Sequence, residues 1–261
     1  MPVMRFSMRA ALVALICLPC LGAGTPAAAQ WPPEVKNLQH FPEDTDFREL
    51  MGTMRGFAMG LGVRCQHCHV GEEGQPLATF DFASDEKDTK KKARLMLKMM
   101  DDINAGHLSQ FDSEAGAALR VQCVTCHRGV ARPEQLRDIL VEVGGSEGAE
   151  AAVAKYRELR GEHYGAGSYD FSETTLIQAA EALAGQNADG AIALLDESLT
   201  HTPESSWALG TLAGIEMRRG NTDAAVSALE RILEFDPDNE RVKQQIQELT
   251  VPPEAPSEGG S

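Results

Sequence analysis

The chain has 261 residues and a formal net charge of −15, which predicts one or two domains and argues against a nucleic-acid-binding protein, because such proteins need a basic surface. Aromatic residues make up only 5% of the chain, which is little for a large core built from side chains alone. A large, flat apolar cofactor would offset this shortage.

The N-terminus is typical of a secretory signal peptide. Arg5 and Arg9 precede an apolar stretch at 10–21, and small residues at 27–29 provide a cleavage site. The apolar stretch is too short to span a bilayer comfortably. We predict that residues 1–29 are removed and that the mature protein is periplasmic, with no transmembrane segment. Removal of two Arg and no acid leaves a charge of about −17.

Two amphipathic, Met-containing helices are predicted in the first half of the chain. The first runs from about 46 to 60, with Asp44, Thr45 and Asp46 as candidate N-caps and apolar residues at helical spacing. The second runs from about 85 to 104, with Ser84 as its cap, and carries six Lys and Arg between 87 and 98. Residues 105–118 are predicted to be irregular.

Each helix is followed by the same motif. The pattern Val-x-Cys-x-x-Cys-His-x-Gly places Cys-x-x-Cys-His at 65–69 and again at 123–127. This is the attachment signature of c-type haem, in which two thiols bond to the porphyrin and the following His binds the iron. The candidate attachment residues are Cys65, Cys68, Cys123 and Cys126, and the candidate iron ligands are His69 and His127.

The cysteine count favours two covalently bound haems. The two remaining cysteines, Cys17 and Cys20, lie in the predicted signal peptide, so none is left for a disulfide or a nucleophile. A zinc site or a redox-active Cys-x-x-Cys pair is the alternative. A redox pair needs neither the trailing His nor the duplication, and an export signal agrees with haem attachment outside the cytoplasm.

Methionines on the two helices are candidates for the sixth iron ligand. A thioether opposite His raises the reduction potential of a haem, although Met on an apolar helix face is usually core filler. Met54 lies at the centre of the first stripe. On the second helix the alternatives are Met96, Met99, Met100 and His107, which share nearly the same face.

Several runs resemble the cytochrome c subunit of photosynthetic reaction centres. They are residues 54–57 and 61–70, Ala93-Arg94-x-Met96-x-x-Met99 with Ile103-Asn104, and residues 123–129. The resemblance covers about 38–135 and implies a helix, a turn and Cys-x-x-Cys-His for each haem. It implies Met54 as the sixth ligand of the first haem and Met99 as that of the second. The full-length family has four haems, whereas this chain has two motifs.

The second half of the chain contains a 34-residue period. Residues 136–171 form a predicted helical bridge, with a short helix ended by Gly144 and Gly145. Asn187, Leu195 and Pro203 then recur at 221, 229 and 237, the spacing of tetratricopeptide repeats. The predicted helices are about 173–184, 188–200, 205–218, 222–235 and 239–249. We predict a repeat domain at 172–250 and a disordered tail at 251–261.

The sequence therefore predicts an all-α protein, with a compact dihaem c-type cytochrome domain at 30–135 followed by tetratricopeptide-like repeats. Its predicted function is electron transfer between redox partners, with the repeats binding another protein. The alternatives are a dihaem enzyme such as a peroxidase and a scaffold stabilised by haem. The basic helix predicts an acidic redox partner near Lys90, Lys91 and Lys98.

Overall fold

The computed structural model describes residues 34–111 and 119–251, so the predicted signal peptide and all but the first residue of the predicted tail lie outside the described residues. Within these ranges the regular elements are helices, which confirms the all-α prediction. No helix among them is both long and apolar enough to cross a membrane.

The first helix, α1, spans Phe47–Leu61. Asp46 is its cap, because the Asp46 carboxylate accepts hydrogen bonds from the backbone N–H groups of Arg48 and Glu49. Gly62 ends the helix in the left-handed conformation, at φ 65°. The predicted helix at 46–60 is therefore confirmed to within one residue at each end.

The second helix, α2, spans Asp88–Asp101 and begins later than predicted. The Ser84 hydroxyl accepts from the N–H of Glu86 rather than from the first turn of α2, so the prediction that Ser84 caps this helix is wrong. Ser84 belongs to a turn in which the Asp81 carboxylate accepts from the N–H groups of Ala83 and Ser84. This turn delays the helix by one turn.

The chain after α2 is not irregular at its start. A π-helix at Asp102–His107 continues α2, and a 3₁₀ turn follows at Leu108–Gln110. The wider π turn leaves His107 exposed at its end. The short helix α3, at Cys123–His127, contains the second motif.

Seven helices form the second half of the molecule and pack in antiparallel pairs on one continuous core. They are α4 Leu136–Ser146, α5 Ala149–His163, α6 Glu173–Leu183, α7 Ala188–His201, α8 Ser206–Arg219, α9 Thr222–Phe235 and α10 Glu240–Thr250. The five helices predicted from the 34-residue period agree with α6–α10 to within two residues. Helices α4 and α5 share their core through Leu140 and Tyr156, which are both fully buried.

Gly144 does not end α4, as the sequence suggested. A Cβ at Gly144 would lie 2.6 Å from Leu183 and 3.4 Å from Ala152. The missing side chain lets α4 approach α6 closely, and the Asn187 amide donates to the Gly144 carbonyl at 2.8 Å. Glycine here serves helix packing, which overrides its weak helix propensity.

Candidate haem sites

The first motif forms a single tight turn. Cys65–His67 is a 3₁₀ turn, and the N–H of His69 donates to the carbonyl of Cys65 at 3.0 Å. The start of α2 holds this turn from outside, because the Lys87 ammonium and the Thr89 hydroxyl donate to the carbonyls of Gln66 and His67. Both thiols of the motif, on Cys65 and Cys68, are free and half-buried.

The His69 ring is available as a metal ligand. It packs edge-on against Phe82, with ring centroids 5.0 Å apart. Burial, with a further contribution from the positive charge of Lys90, lowers the pKa of His69, which favours the neutral imidazole that binds metals. Its Nδ1 is buried and has no hydrogen-bond partner in the described structure. An unpaired buried nitrogen is costly in a protein unless a ligand engages the ring.

Lys90 anchors the loop that carries Phe82. It is only 8% exposed, and its ammonium donates to the carbonyls of residues 82–84 at 2.7–3.1 Å. It also pairs with Asp85 at 3.1 Å, and Arg94 pairs with the same carboxylate oxygen at 2.7 Å. The prediction that Lys90 faces a redox partner is therefore wrong. Four oxygens draw its ammonium into the protein.

The Asp85 carboxylate is the centre of this polar network. Hydrogen bonding from Asn37, together with the positive charges of Lys90 and Arg94, holds the pKa of Asp85 well below its usual range. Of the other two predicted docking lysines, Lys91 is exposed but paired with Asp88, and Lys98 is exposed. The charge available for partner recognition on this helix is smaller than the sequence suggested.

The second motif is helical and more exposed. In α3, Gln122 and Thr125 close a reciprocal capping box at the N-terminus. Arg128 then turns the chain through the left-handed region, at φ 50°. The Asn104 amide clamps the approach to this motif, because it both donates to the Val121 carbonyl and accepts from the Val121 N–H.

The His127 ring has a defined orientation. Its Nδ1 lies 3.0 Å from the carbonyl oxygen of Val130. A carbonyl can only accept, so Nδ1 carries the proton and Nε2 keeps its lone pair free for a metal. A backbone carbonyl on the second nitrogen is the usual support of a metal-binding His.

The two motifs meet through three glycines. The N–H of Gly129 donates to the carbonyl of Gly60 at 2.9 Å. A Cβ on Gly62 would lie 1.9 Å from the Gly129 oxygen, so the two backbones touch. Gly62 is three residues before Cys65, and Gly129 is three residues after Cys126. The chain can span at most about 11 Å over each of these stretches, so the two attachment sites lie within roughly 25 Å of each other.

The candidate axial methionines lie on helices that contact both motifs. Met54 is half-buried on α1, whose end packs on Cys123 and Val124 through Gly60. Met99 is 47% exposed on α2, and Leu95 and Met96 are exposed beside it. The start of α2 contacts the first motif, and its π-helical continuation contacts the second. The structure thus places each methionine on a helix that contacts the motifs, and the assignment of each methionine to a haem stays a prediction.

These residues fit covalently bound haem. Four free thiols occur in two Cys-x-x-Cys-His turns, each with a His suited to bind iron. Leu95, Met96 and Met99 expose apolar surface on α2 that a bound porphyrin would be suited to cover. The roles of Lys90, Asn104 and the three glycines were not predicted from the sequence. Lys90 lies three residues before Ala93 and seven residues before Leu97, on the buried face of α2. This helical spacing was a signal that Lys90 is buried.

Comparison with known proteins agrees with this class of site. The family model for the photosynthetic reaction centre cytochrome C subunit matches residues 6–181, and a tetratricopeptide repeat model matches 182–248. The two sites and the match define a c-type cytochrome, a class that carries electrons on covalently bound haem c. The chain belongs to the photosynthetic reaction centre cytochrome c subunit family.

A curated relative supports the same class. The chain is similar to "Cytochrome c-554" of Chloroflexus aurantiacus, with 33% identity over 99 residues. The match covers 34% of this chain and 22% of the relative. This chain therefore spans only about a fifth of that protein's length.

Proposed function

We propose that this protein is an exported c-type cytochrome that carries two haems and passes electrons between redox partners. The observation that carries the proposal is the pair of Cys-x-x-Cys-His turns joined at Gly60, Gly62 and Gly129. Each bound haem supplies one reversible electron at its iron. The chain holds the two attachment turns side by side, which favours electron exchange between them.

In this proposal His69 and His127 would each bind one haem iron. Met54 and Met99 would supply the sixth ligand of the first and the second haem, respectively. Support comes from the positions of Met54 and Met99 on helices that contact the motifs, from the lowered pKa of His69 and from the hydrogen bond between His127 Nδ1 and the Val130 carbonyl. Two irons with all six coordination positions filled would suit electron transfer. A peroxidase-type enzyme needs one iron with a free coordination position for its substrate.

The repeats are proposed to bind a second protein. A groove of about 840 Å³ is lined mainly by α8 and α10, with Glu181 of α6 and two residues of α9. Trp207 and Met217 line it and are 42% and 48% exposed, and Gly210 and Gly214 also line it. Such a groove suits an extended or helical segment of a partner.

The proposal of export depends on the N-terminal sequence alone. Arg5, Arg9, the apolar stretch at 10–21 and the small residues at 27–29 support cleavage before Gln30. Mass spectrometry of protein purified from the periplasm of a host with haem-attachment machinery tests export and haem content together. The expected mass is that of residues 30–261 plus two haems. One haem would contradict the proposed number of haems, and bound zinc would contradict the proposed cofactor. An uncleaved N-terminus would contradict export.

An optical spectrum then tests the ligands. Wild type should show two six-coordinate, low-spin haems, and a high-spin component would favour the enzyme. Met54→Ala should open one iron, with Met51→Ala as the matched control on the same helix. Met99→Ala should open the other, with Met96→Ala, Met100→Ala and His107→Ala as controls. An effect in a control but not in the proposed ligand would overturn that assignment.

A further inference from the structure

The loop between α5 and α6 reaches the second haem motif. Residues 164–172 form this loop and lie in the half of the molecule built from α4–α10, called the repeat half here. Within the loop, the Ser168 hydroxyl donates to the carbonyl oxygen of Arg128 at 2.7 Å. Arg128 immediately follows His127, so this hydrogen bond connects the repeats to the residue beside a proposed iron ligand.

The segment 128–130 forms the frame that orients His127. The Arg128 and Val130 N–H groups make local bonds to the carbonyls of Val124 and His127, and each of the three residues makes one further hydrogen bond. The Arg128 carbonyl accepts from Ser168, the Gly129 N–H donates to Gly60, and the Val130 carbonyl accepts from His127 itself. The bond from Ser168 is the anchor that comes from the repeat half.

The position of Ser168 is set by an aromatic cluster. Phe171 packs on Tyr156 and Tyr169, with ring centroids 5.9 Å and 6.1 Å apart, and Tyr156 is fully buried in the repeat core. On the outer side, the Arg160 guanidinium lies 4.0 Å from the centre of the Tyr164 ring. Both ends of the loop are therefore attached to the repeats.

We propose that Ser168 is a positioning residue for His127 and that it lowers the reduction potential of the second haem. The proposal rests on the proposed function, in which His127 binds the iron of that haem. When the 128–130 frame is held, the Val130 carbonyl stays in place to accept the Nδ1 proton. This hydrogen bond makes the imidazole a stronger electron donor, which stabilises Fe(III) relative to Fe(II).

Redox titration of the full-length, haem-loaded protein tests this inference. In Ser168→Ala we expect the reduction potential of one of the two haems to rise by about 30 mV. For a one-electron couple, this is roughly a threefold increase in the ratio of reduced to oxidised haem at a fixed potential. Ser168→Thr keeps a hydroxyl and should restore the wild-type value. Ser172→Ala, in the same loop, removes a hydroxyl with no contact to the 128–130 segment and should move neither couple.

The outcomes are distinguishable. A wild-type protein without two haems would contradict the proposed function before Ser168 is tested. Two haems with unchanged couples in Ser168→Ala would overturn the role of Ser168 alone. An equal shift of both couples, or the same shift in Ser172→Ala, would show a general structural effect and would also overturn it.

Discussion

The haem half and the repeat half of this molecule build their interiors differently. The haem half, described at 34–111 and 119–135, contributes only Leu97 and Val130 to the 26 buried apolar side chains. The other 24 form one continuous core from α4 to α10. Seven of the eleven exposed large apolar side chains lie in the haem half. The difference indicates that α4–α10 supply their own core, whereas the haem half leaves apolar surface for bound haem to cover.

Charge follows the same division. The described haem half has 13 Lys and Arg against 14 Asp and Glu, whereas 136–251 has 9 against 21. The acidic excess of the chain therefore belongs mainly to the repeats. A folded unit with its own core tolerates the resulting self-repulsion. In the haem half, the buried Lys90 is paired with the half-buried Asp85.

Removal of haem should produce the largest effect. In a variant with all four motif cysteines changed to Ser, we expect α1 and α2 to lose protection from hydrogen exchange, because their apolar faces lose their covering surface. Helices α4–α10 should keep theirs, since their core is complete. Haem-loaded wild type is the control. Protected α1 and α2 in the haem-free variant would show that the haem half has a core of its own.

Deletion of α4 tests where the self-sufficient half begins. A fragment of 135–251 should be helical and unfold cooperatively without haem. A fragment of 147–251 lacks Leu136 and Leu140, which are buried in the shared core, and should lose about 4 kcal/mol of unfolding free energy. Urea unfolding followed by circular dichroism measures both. Equal stabilities would place the boundary after α4, closer to the start of the repeats predicted at 172.

Gly62→Ala tests the junction between the two motifs. Positive φ and the contact with the Gly129 oxygen should together cost about 3 kcal/mol. Gly74→Ala is the matched control in the haem half, because Gly74 has φ 80° with open space around it, and it should cost about 1 kcal/mol. Unfolding followed by haem absorbance measures both. Similar losses would mean that the two backbones separate easily.

A smaller, pH-dependent effect is expected for Asp85→Asn. The pKa of Asp85 is depressed in the folded protein, so its contribution is complete above the unfolded pKa near 4 and disappears as the pH falls through the lower folded value. The variant should melt below wild type at pH 7, and the two should converge only in strong acid. Asp44→Asn, which changes an exposed carboxylate, should match wild type. A difference independent of pH would exclude the charge as its cause.

Local signals explain why the helices could be predicted. The cap at Asp46, the glycine at 62 and the 34-residue period are encoded within a few residues of the boundaries they set. The π-helix at Asp102–His107 and the late start of α2 have no such signal. They depend on the clamp from Asn104 to Val121 and on the turn around Lys90, which both join residues that are distant in the chain or in different elements.

The amino-acid sequence by itself determined the attachment chemistry, because thiol spacing and the trailing His are properties of five consecutive residues. It also determined the repeat architecture through its period. Only the tertiary structure decided that Lys90 is an internal anchor, that Gly144 permits close helix packing and that Ser168 reaches the second motif. Burial and long-range hydrogen bonds arise when separate elements meet, so no local pattern carries them.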